Sequence, residues 1–425
     1  MEAKKLPIKT KKFNYSIIII ALCFLTVLIT LGFCSSPASL YFIPVQNALK
    51  VDRTILSLEK SIRFIVNATM NLFFGSLVMR LGEKKLLIAG VLALAGASVV
   101  YSIAPSIFIY YLGSVLLGIG FSWTGTPMMG YVINKWCKKN KGTIMGAVLA
   151  SNGLGAAVAT QILSPIIESA SLGYKKSFLL VACILVVLAV LLLIFFRTKP
   201  NENIAEQKEV KSKKRGADWV GIEFAEAKKK WWFYGALICI FFNGFILQSI
   251  SGVAIPHMKD VGLDPVYVSV VLSISSISLA CFKFLTGFMY DRFGYRITMS
   301  ICSVTAVVVT LALVLVTNSP TGKVLAMFYG IFSAAALPLE TIMLPIATSE
   351  FFGQKEYAKF LGVVSACNIL GFAIGTPFIN IFFDITGSYN VGFIVSAILM
   401  LLASIAMQII ITVARRERKK IIEQN

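Results

Sequence analysis

An all-α membrane protein is what this sequence predicts, with twelve transmembrane helices in two pseudo-symmetric bundles of six. Three observations carry the prediction. Of 425 residues, 57% are hydrophobic and only 14% are charged, against roughly 45–50% apolar and 25% charged in a soluble globular chain. Apolar runs long enough to cross a bilayer recur twelve times, six on either side of the longest polar segment. A glycine- and arginine-bearing motif closes the second run of each half. This composition excludes most soluble enzymes and binding modules, which need a water-facing surface. It also excludes disorder, which needs low hydrophobicity.

A membrane helix requires about 20 mostly apolar residues. In the first half such runs fall near 16–43, 54–78, 86–103, 106–134, 142–166 and 175–196. The first is too long for a cleaved signal peptide and is followed by eleven more, so it is expected as a true span. Within it, Pro37 follows Cys34-Ser35-Ser36. It is expected to bend the helix and expose backbone groups to a cavity, or simply to kink it for packing. Run two carries Glu59, Lys60 and Arg63 at its outer end. Glu59 and Arg63 stand i, i+4 and can pair; alternatively they attract an anion or close an outer gate. Run five carries Gly146, Gly153 and Gly155, small residues that let helices approach closely. The second half places its runs near 232–256, 266–290, 297–317, 323–348, 358–383 and 390–414. The domain reading is thus a bundle over 1–196, a central loop over 197–231, and a bundle with tail over 232–425. In the loop, Trp219, Ile222 and Phe224 suit either a short lipid-facing helix or a solvated linker.

Basic residues orient the chain. Net charge is +20, from 40 Lys+Arg and 20 Asp+Glu. With an even number of spans both termini share a side. That side collects 31 basic residues, from Lys4, Lys5, Lys9, Lys11 and Lys12 to the central Lys211, Lys213, Lys214 and Arg215; the other collects eight. Lys and Arg concentrate on cytoplasmic loops, so both tails are expected in the cytoplasm of a multi-pass plasma-membrane protein. A nucleic-acid partner is not expected, because the basic clusters sit between apolar runs. Seven of eight cysteines lie in apolar runs, Cys137 sits in a basic loop, no CxxC occurs, and His257 is the only histidine. Neither a metal site, a cofactor nor a catalytic centre is expected. No GxxxxGK[ST] phosphate loop is present, so ATP-driven pumping is not expected.

The halves echo each other. Gly75-Ser-Leu-Val-Met79-Arg80-Leu-Gly82-Glu-Lys84 closes span 2, and Gly287-Phe-Met-Tyr-Asp291-Arg292-Phe-Gly294-Tyr-Arg296 closes span 8, an offset of 212 residues. Such internal repeats mark two-domain transporters. The second copy resembles the loop motif of the major facilitator superfamily. That resemblance implies two six-helix bundles moving by alternating access, with Asp291, Arg292 and Arg296 latching the outward-facing state. In the first copy Met79 replaces the acid, which weakens the expected latch there, while Arg80 keeps its place.

Further features are similar to the monocarboxylate transporter and oxalate/formate antiporter group. Span 4 has Gly118-Ile-Gly120 and Pro127, followed by Lys135-Trp136-Cys-Lys138-Lys139-Asn-Lys141-Gly142. Span 11 has Gly371-xxx-Gly375-Thr-Pro377, then Asp384-xx-Gly387. Span 8 has Lys283-xxx-Gly287, where the group usually has arginine. The resemblance implies that Lys283 meets the carboxylate of a substrate.

Lys283 also stands out without it. It precedes Asp291 by eight residues, about 12 Å along a helix, and a lone charge at that depth costs about 2.5–3.5 kcal/mol on insertion scales. Such a lysine is expected to face a water-filled cavity, with Ser269, Ser273 and Ser276 roughly on its helix face, or to pair with Glu340 in span 10. Glu340 is read as a proton carrier or as that partner. Tyr41, Asn152, Gln248 and Asn368 are uncharged polar candidates for the substrate site, and Gln161 is a further polar span residue. The span 11 stretch Ser365-Ala-Cys367-Asn368 carries no second cation, where the group associates one with dicarboxylate exchange. The expected cargo is therefore a small monocarboxylate such as pyruvate, lactate or formate. It would move by proton symport or anion exchange, with lipid as the other partner and a monomer as the working unit. An exporter of drugs or other organic solutes on the same fold is the alternative.

Overall fold

The computed structural model describes residues 15–35, 37–51, 53–137, 139–169, 173–198 and 221–424. The N-terminal lysines, Ser36, and the central basic cluster with Trp219 lie outside these residues. Twelve apolar helices are long enough to cross a membrane, and no strand occurs among the described residues.

The first half contains α1 (Ser16–Cys34), α2 (Ala38–Leu49), α3 (Arg53–Leu81), α4 (Glu83–Ile103), α5 (Ile107–Thr124), α6 (Thr126–Trp136), α7 (Lys141–Glu168) and α8 (Gly173–Phe195). After a short α9 (Phe224–Ala227), the second half contains α10 (Trp231–Asp260), α11 (Pro265–Phe293), α12 (Tyr295–Val314), α13 (Pro320–Phe332), α14 (Met343–Phe352), α15 (Tyr357–Thr386) and α16 (Asn390–Gln424). Both ends of the described chain lie on one face, called here the tail face. Apolar side chains stay exposed on the outer walls, as on α8 at Val187, Val190, Leu193 and Ile194. Water would not tolerate such a belt; lipid does.

Three expected spans are broken helices. Span 1 divides between α1 and α2 around Pro37, and span 4 divides at Gly125, whose backbone is extended. Span 10 unwinds through two 3-10 turns, Ser333–Ala335 and Leu337–Glu340, before α14 resumes. Pro338 initiates the second turn, because its ring denies the backbone an α-helical bond. The breaks in spans 4 and 10 sit at equivalent places under the 212-residue offset: Gly125 corresponds to Leu337. Glu340 therefore lies in the break itself, with α14 still to run to Phe352.

Tight reversals on the tail face obey the same symmetry. Gly82 and Gly294, also 212 apart, have φ of +79° and +82° and join α3 to α4 and α11 to α12. Glycine reaches this left-handed region without a Cβ penalty.

Within the first half α7 packs on α1 and α8 on α4; within the second α15 packs on α10 and α16 on α12. Two long seams join the halves, α7 against α11 and α3 against α15. The linker's end is packed rather than lipid-facing. Ile222 is buried and its N–H donates to Phe352 O at 3.1 Å, while the Phe224 ring lies against Phe233 and Phe360.

Candidate functional site: a buried lysine and a closed tail face

Lys283 is built into the α7–α11 seam. The seam is close because Gly146 faces the lysine's backbone: a Cβ on Gly146 would lie 2.5 Å from Lys283 O. The lysine side chain is 6% exposed, and its Nζ donates to Leu149 O at 3.4 Å. An ammonium has three donors, so this single long bond leaves most of its capacity unspent. Among the described residues no carboxylate comes within salt-bridge distance of Lys283. Glu340 acts on it electrostatically from the break in span 10. One Glu340 oxygen, Oε2, is buried without a hydrogen-bond partner. The pair is thus within each other's field but not in contact.

The other expected site residues distribute as follows. Asn152 lies one turn beyond Leu149 on α7 and is half-buried. Ser276 is exposed on α11 and its hydroxyl bonds Leu272 O in its own helix; Ser273 is exposed too, and the Ser269 side chain lies outside the described residues. Asn368 is buried in the α10–α15 interface, donating to Ile240 O at 3.3 Å beside Gly244. Gln248, half-buried on α10, offers its backbone oxygen to Thr376. Tyr41 is committed to the first half, bonding Ser177 Oγ at 2.6 Å and stacking on Phe178. The structure therefore joins Lys283 with Glu340 and the α7 segment around Asn152, and leaves Tyr41 and Asn368 in separate helix interfaces.

Below Lys283, the tail face is shut. Gly287 and Gly142 touch so closely that a Cβ on Gly287 would fall 2.1 Å from Gly142 O. One turn on, the Asp291 carboxylate accepts from Gly142 N at 3.1 Å, Thr143 N at 2.7 Å and Thr143 Oγ1 at 2.6 Å. The first residues of a helix carry unsatisfied N–H groups and a partial positive charge. Asn140, at the head of α7, does not cap them with its own side chain; Asp291 caps them from the other half. Arg292 lies over the Phe293 ring, and Arg296 donates to Gln408 Oε1 at 2.9 Å, tying α12 to α16.

The matching seam between α3 and α15 is equally tight. A Cβ on Gly75 would lie 2.5 Å from the Lys359 Cα, and one on Gly362 would lie 2.4 Å from Asn71 O. Here Met79 points away, 56% exposed, Arg80 is exposed, and the head of α15 has no side-chain cap. Burial alone pushes the Glu356 carboxyl up, but Lys359, the Phe224 N–H and Lys355 together hold it below the ordinary carboxylate range.

A side-chain clasp that sequence reasoning missed completes the closure. Asn134 Nδ2 on α6 donates to Gln354 Oε1 at 2.5 Å, and Lys141 Nζ donates to Asn134 Oδ1 at 3.0 Å. Tyr290 bonds Glu350 at 3.2 Å, which also meets Arg418 at 3.8 Å. None of these residues has a periodicity signal. Their one mark in the sequence is position, at the tail-face ends of spans 4, 5, 8, 10 and 12.

Two cavities lie inside the halves. One of about 140 Å³ in the second half is mainly apolar, lined by Ile250, Val271, Ser275, Thr310 and Tyr329 among others. One of about 40 Å³ in the first half is lined by Tyr41, Glu59, Arg63, Ser98, Tyr101 and Tyr110 among others.

Comparisons with known proteins follow this geometry. The family model described as Major Facilitator Superfamily matches residues 22–251 and 236–425. The chain is 24% identical to monocarboxylate transporter 13 of Rattus norvegicus over 77% of this chain and 73% of that one. It is 22% identical to the uncharacterized MFS-type transporter YcxA of Bacillus subtilis, where the match spans 61% of each chain. The solved structure of the fucose:proton symporter FucP of E. coli superposes with a TM-score of 0.72 at 13% identity, covering 95% of this chain and 99% of that one, a likeness of fold. Two helical halves, broken spans 4 and 10, a repeated tail-face motif and a match along nearly its whole length make this chain a transporter of the Major Facilitator Superfamily, similar to the monocarboxylate transporters.

Proposed function

We propose that this transporter carries small monocarboxylates, with pyruvate, lactate and formate as the class, by alternating access between its halves. One observation supports the reading: among the described residues Lys283, buried between α7 and α11, has one long hydrogen bond and no carboxylate in contact. A buried cation with spare donors favours an anion that brings its own charge and acceptors. The relationship to a monocarboxylate transporter supports the same class. Lys283 holds the carboxylate, and Asn152, Ser276 and Gln248 supply polar contacts along the route. Glu340, in the unwound part of span 10, takes the coupling proton when transport is symport. Half-helix breaks at a membrane site suit this work, since they free backbone groups where a cavity needs them. Asp291 and the seam glycines set which face is open. In a plasma membrane the tail face would be the cytoplasmic one, by the distribution of basic residues, and each monomer would contain a complete route.

The test is uptake of labelled pyruvate, lactate and formate into proteoliposomes, with and without an inward proton gradient and with or without internal anion. Uptake that Lys283→Ala reduces at least tenfold, in a protein that still purifies as a folded species, supports the reading. Dependence on the proton gradient selects symport, and dependence on internal anion selects exchange. Full uptake by Lys283→Ala removes Lys283 from the site.

A second reading is export of apolar organic solutes. The cavity of about 140 Å³ in the second half, with its mainly apolar lining, favours it. Absence of acid uptake, together with thermal stabilisation by an apolar solute that Val271→Trp removes, would select it.

A further inference from the structure

We propose that the first half holds a second anion site, built on Arg63 and separate from Lys283, which takes one small monovalent anion the size of a halide or a carboxylate group. Arg63 lies on α3, only 7% exposed, and lines the cavity of about 40 Å³. Its Nη1 has no hydrogen-bond partner. Glu59, one turn away, forms with it the i, i+4 ion pair that their spacing allowed, but a long one: Oε1 stands 4.0 Å from Nη1, beyond hydrogen-bond reach. That same oxygen already accepts from Tyr101 at 3.3 Å. The faces of the guanidinium are served by Phe64 and Phe121, at 5.2 and 5.7 Å from their centroids. Its Nη1 remains without a hydrogen bond among the described residues. Guanidinium donors form a planar fork that matches an oxoanion, and leaving such donors buried and unpaired is costly.

The repeat argues that these charges are not needed to build the bundle. Under the 212-residue offset, Glu59 corresponds to Val271, Arg63 to Ser275, Ser98 to Thr310 and Leu117 to Tyr329. Those four residues of the second half line its own cavity, the mainly apolar one. The fold thus makes the same hollow twice and charges it once. In the uncharged copy the neutral Val271 and Ser275 take these places. Around the arginine the charged copy has Tyr41 and Tyr101, whose hydroxyls already bond Ser177, Glu59 and Ser114, and Tyr110, a hydroxyl-bearing ring suited to a small acceptor. At about 40 Å³ the cavity exceeds the ~10–15 Å³ that one water needs, room enough for a halide or a formate-sized group. Glu59 opposes that occupant by charge repulsion and acts as its built-in competitor.

Two sources fit this chemistry: a free inorganic anion, or a carboxylate. The experiment uses the full chain in lipid nanodiscs, carrying Lys283→Ala so that the site under test is isolated. Binding of labelled chloride and of labelled formate is measured by equilibrium dialysis in gluconate buffer. Saturable binding is expected, lost at least tenfold in affinity on adding Arg63→Gln, and strengthened severalfold on adding Glu59→Gln. The gain with Glu59→Gln decides the matter if the Arg63→Gln chain does not fold, because damage does not raise affinity. Chloride binding that formate fails to displace identifies an inorganic occupant; formate binding that chloride fails to displace identifies a carboxylate. Absence of saturable binding of either, or binding that neither Arg63→Gln nor Glu59→Gln alters, overturns the proposal. Failure of acid transport in the uptake assay would remove the Lys283 reading and leave this result standing.

Discussion

At the scale of single residues, the repeat supplies its own control for Lys283. Asn71 occupies the corresponding place in α3, 212 residues earlier. Each is met by a glycine of the opposite seam helix, Gly362 at Asn71 O and Gly146 at Lys283 O. Asn71 is fully buried; its Nδ2 donates to Asn67 O and Oδ1, on its own helix, at 2.8 and 2.7 Å, while its Oδ1 meets no partner among the described residues. The same crossing therefore folds with a neutral amide. Lys283 carries a charge the crossing does not require, at an insertion cost of about 2.5–3.5 kcal/mol. Lys283→Asn is accordingly expected to keep or raise the thermal midpoint while uptake of the substrate acid falls at least tenfold. A midpoint that drops by more than a few degrees would mean the ammonium holds the seam together, and the site reading would lose its main support. The lysine itself was legible in the sequence, because a cation eight residues inside a span has few structural excuses. Its separation from Glu340 was not: pairing depends on how far span 10 unwinds, and no residue spacing encodes that.

At the scale of elements, one carboxylate closes the α7–α11 seam. Asp291 meets two backbone N–H groups and a hydroxyl at the head of α7. A hydrogen bond to a charged group contributes about 1.5–3 kcal/mol, and each 1.4 kcal/mol is a factor of about ten in an equilibrium. Asp291→Asn should therefore raise the opening of the first turn of α7 by about ten- to a hundredfold, read as faster hydrogen–deuterium exchange in peptides covering 141–146. Unchanged exchange there would show that the Gly142–Gly287 contact alone keeps the seam shut. The motif that contains Asp291 was visible as a repeat, and so was the loss of its acid at Met79. The twelve spans were likewise plain from length and apolarity. The interruptions in spans 4 and 10 were not, since glycine and proline are common in membrane helices and break them only where neighbours re-satisfy the backbone. The Asn134–Gln354 clasp was invisible for a similar reason: it joins residues 220 apart in sequence through a geometry that exists only once both halves are folded.

At the scale of the whole molecule, the two seams are parts of one device. The first half contributes α3 and α7 and the second half α11 and α15, and each seam closes by a glycine contact on the tail face. If each half moves as a rigid body, opening the tail face separates both seams together, so a latch on either one holds the same motion. The molecule as it stands has such a carboxylate latch on one seam, Asp291, and on the other an exposed Met79, with no side-chain cap on the head of α15. Met79→Asp would place an acid one turn beyond Gly75, as Asp291 is one turn beyond Gly287. It should cap α15, stabilise the closed tail face by about 0.5–2 kcal/mol, the range for capping side chains, and slow exchange in both the 357–362 and the 141–146 peptides. Joined with Asp291→Asn, it moves the latch from one seam to the other. The combined variant is expected to return exchange at the head of α7 most of the way to the parent level, although the added acid lies on the other seam. Rescue at a distance is the signature of two rigid halves sharing one equilibrium. If Met79→Asp protects α15 and leaves α7 as open as in Asp291→Asn alone, the seams open independently, and rigid-body rocking is not how this chain alternates access.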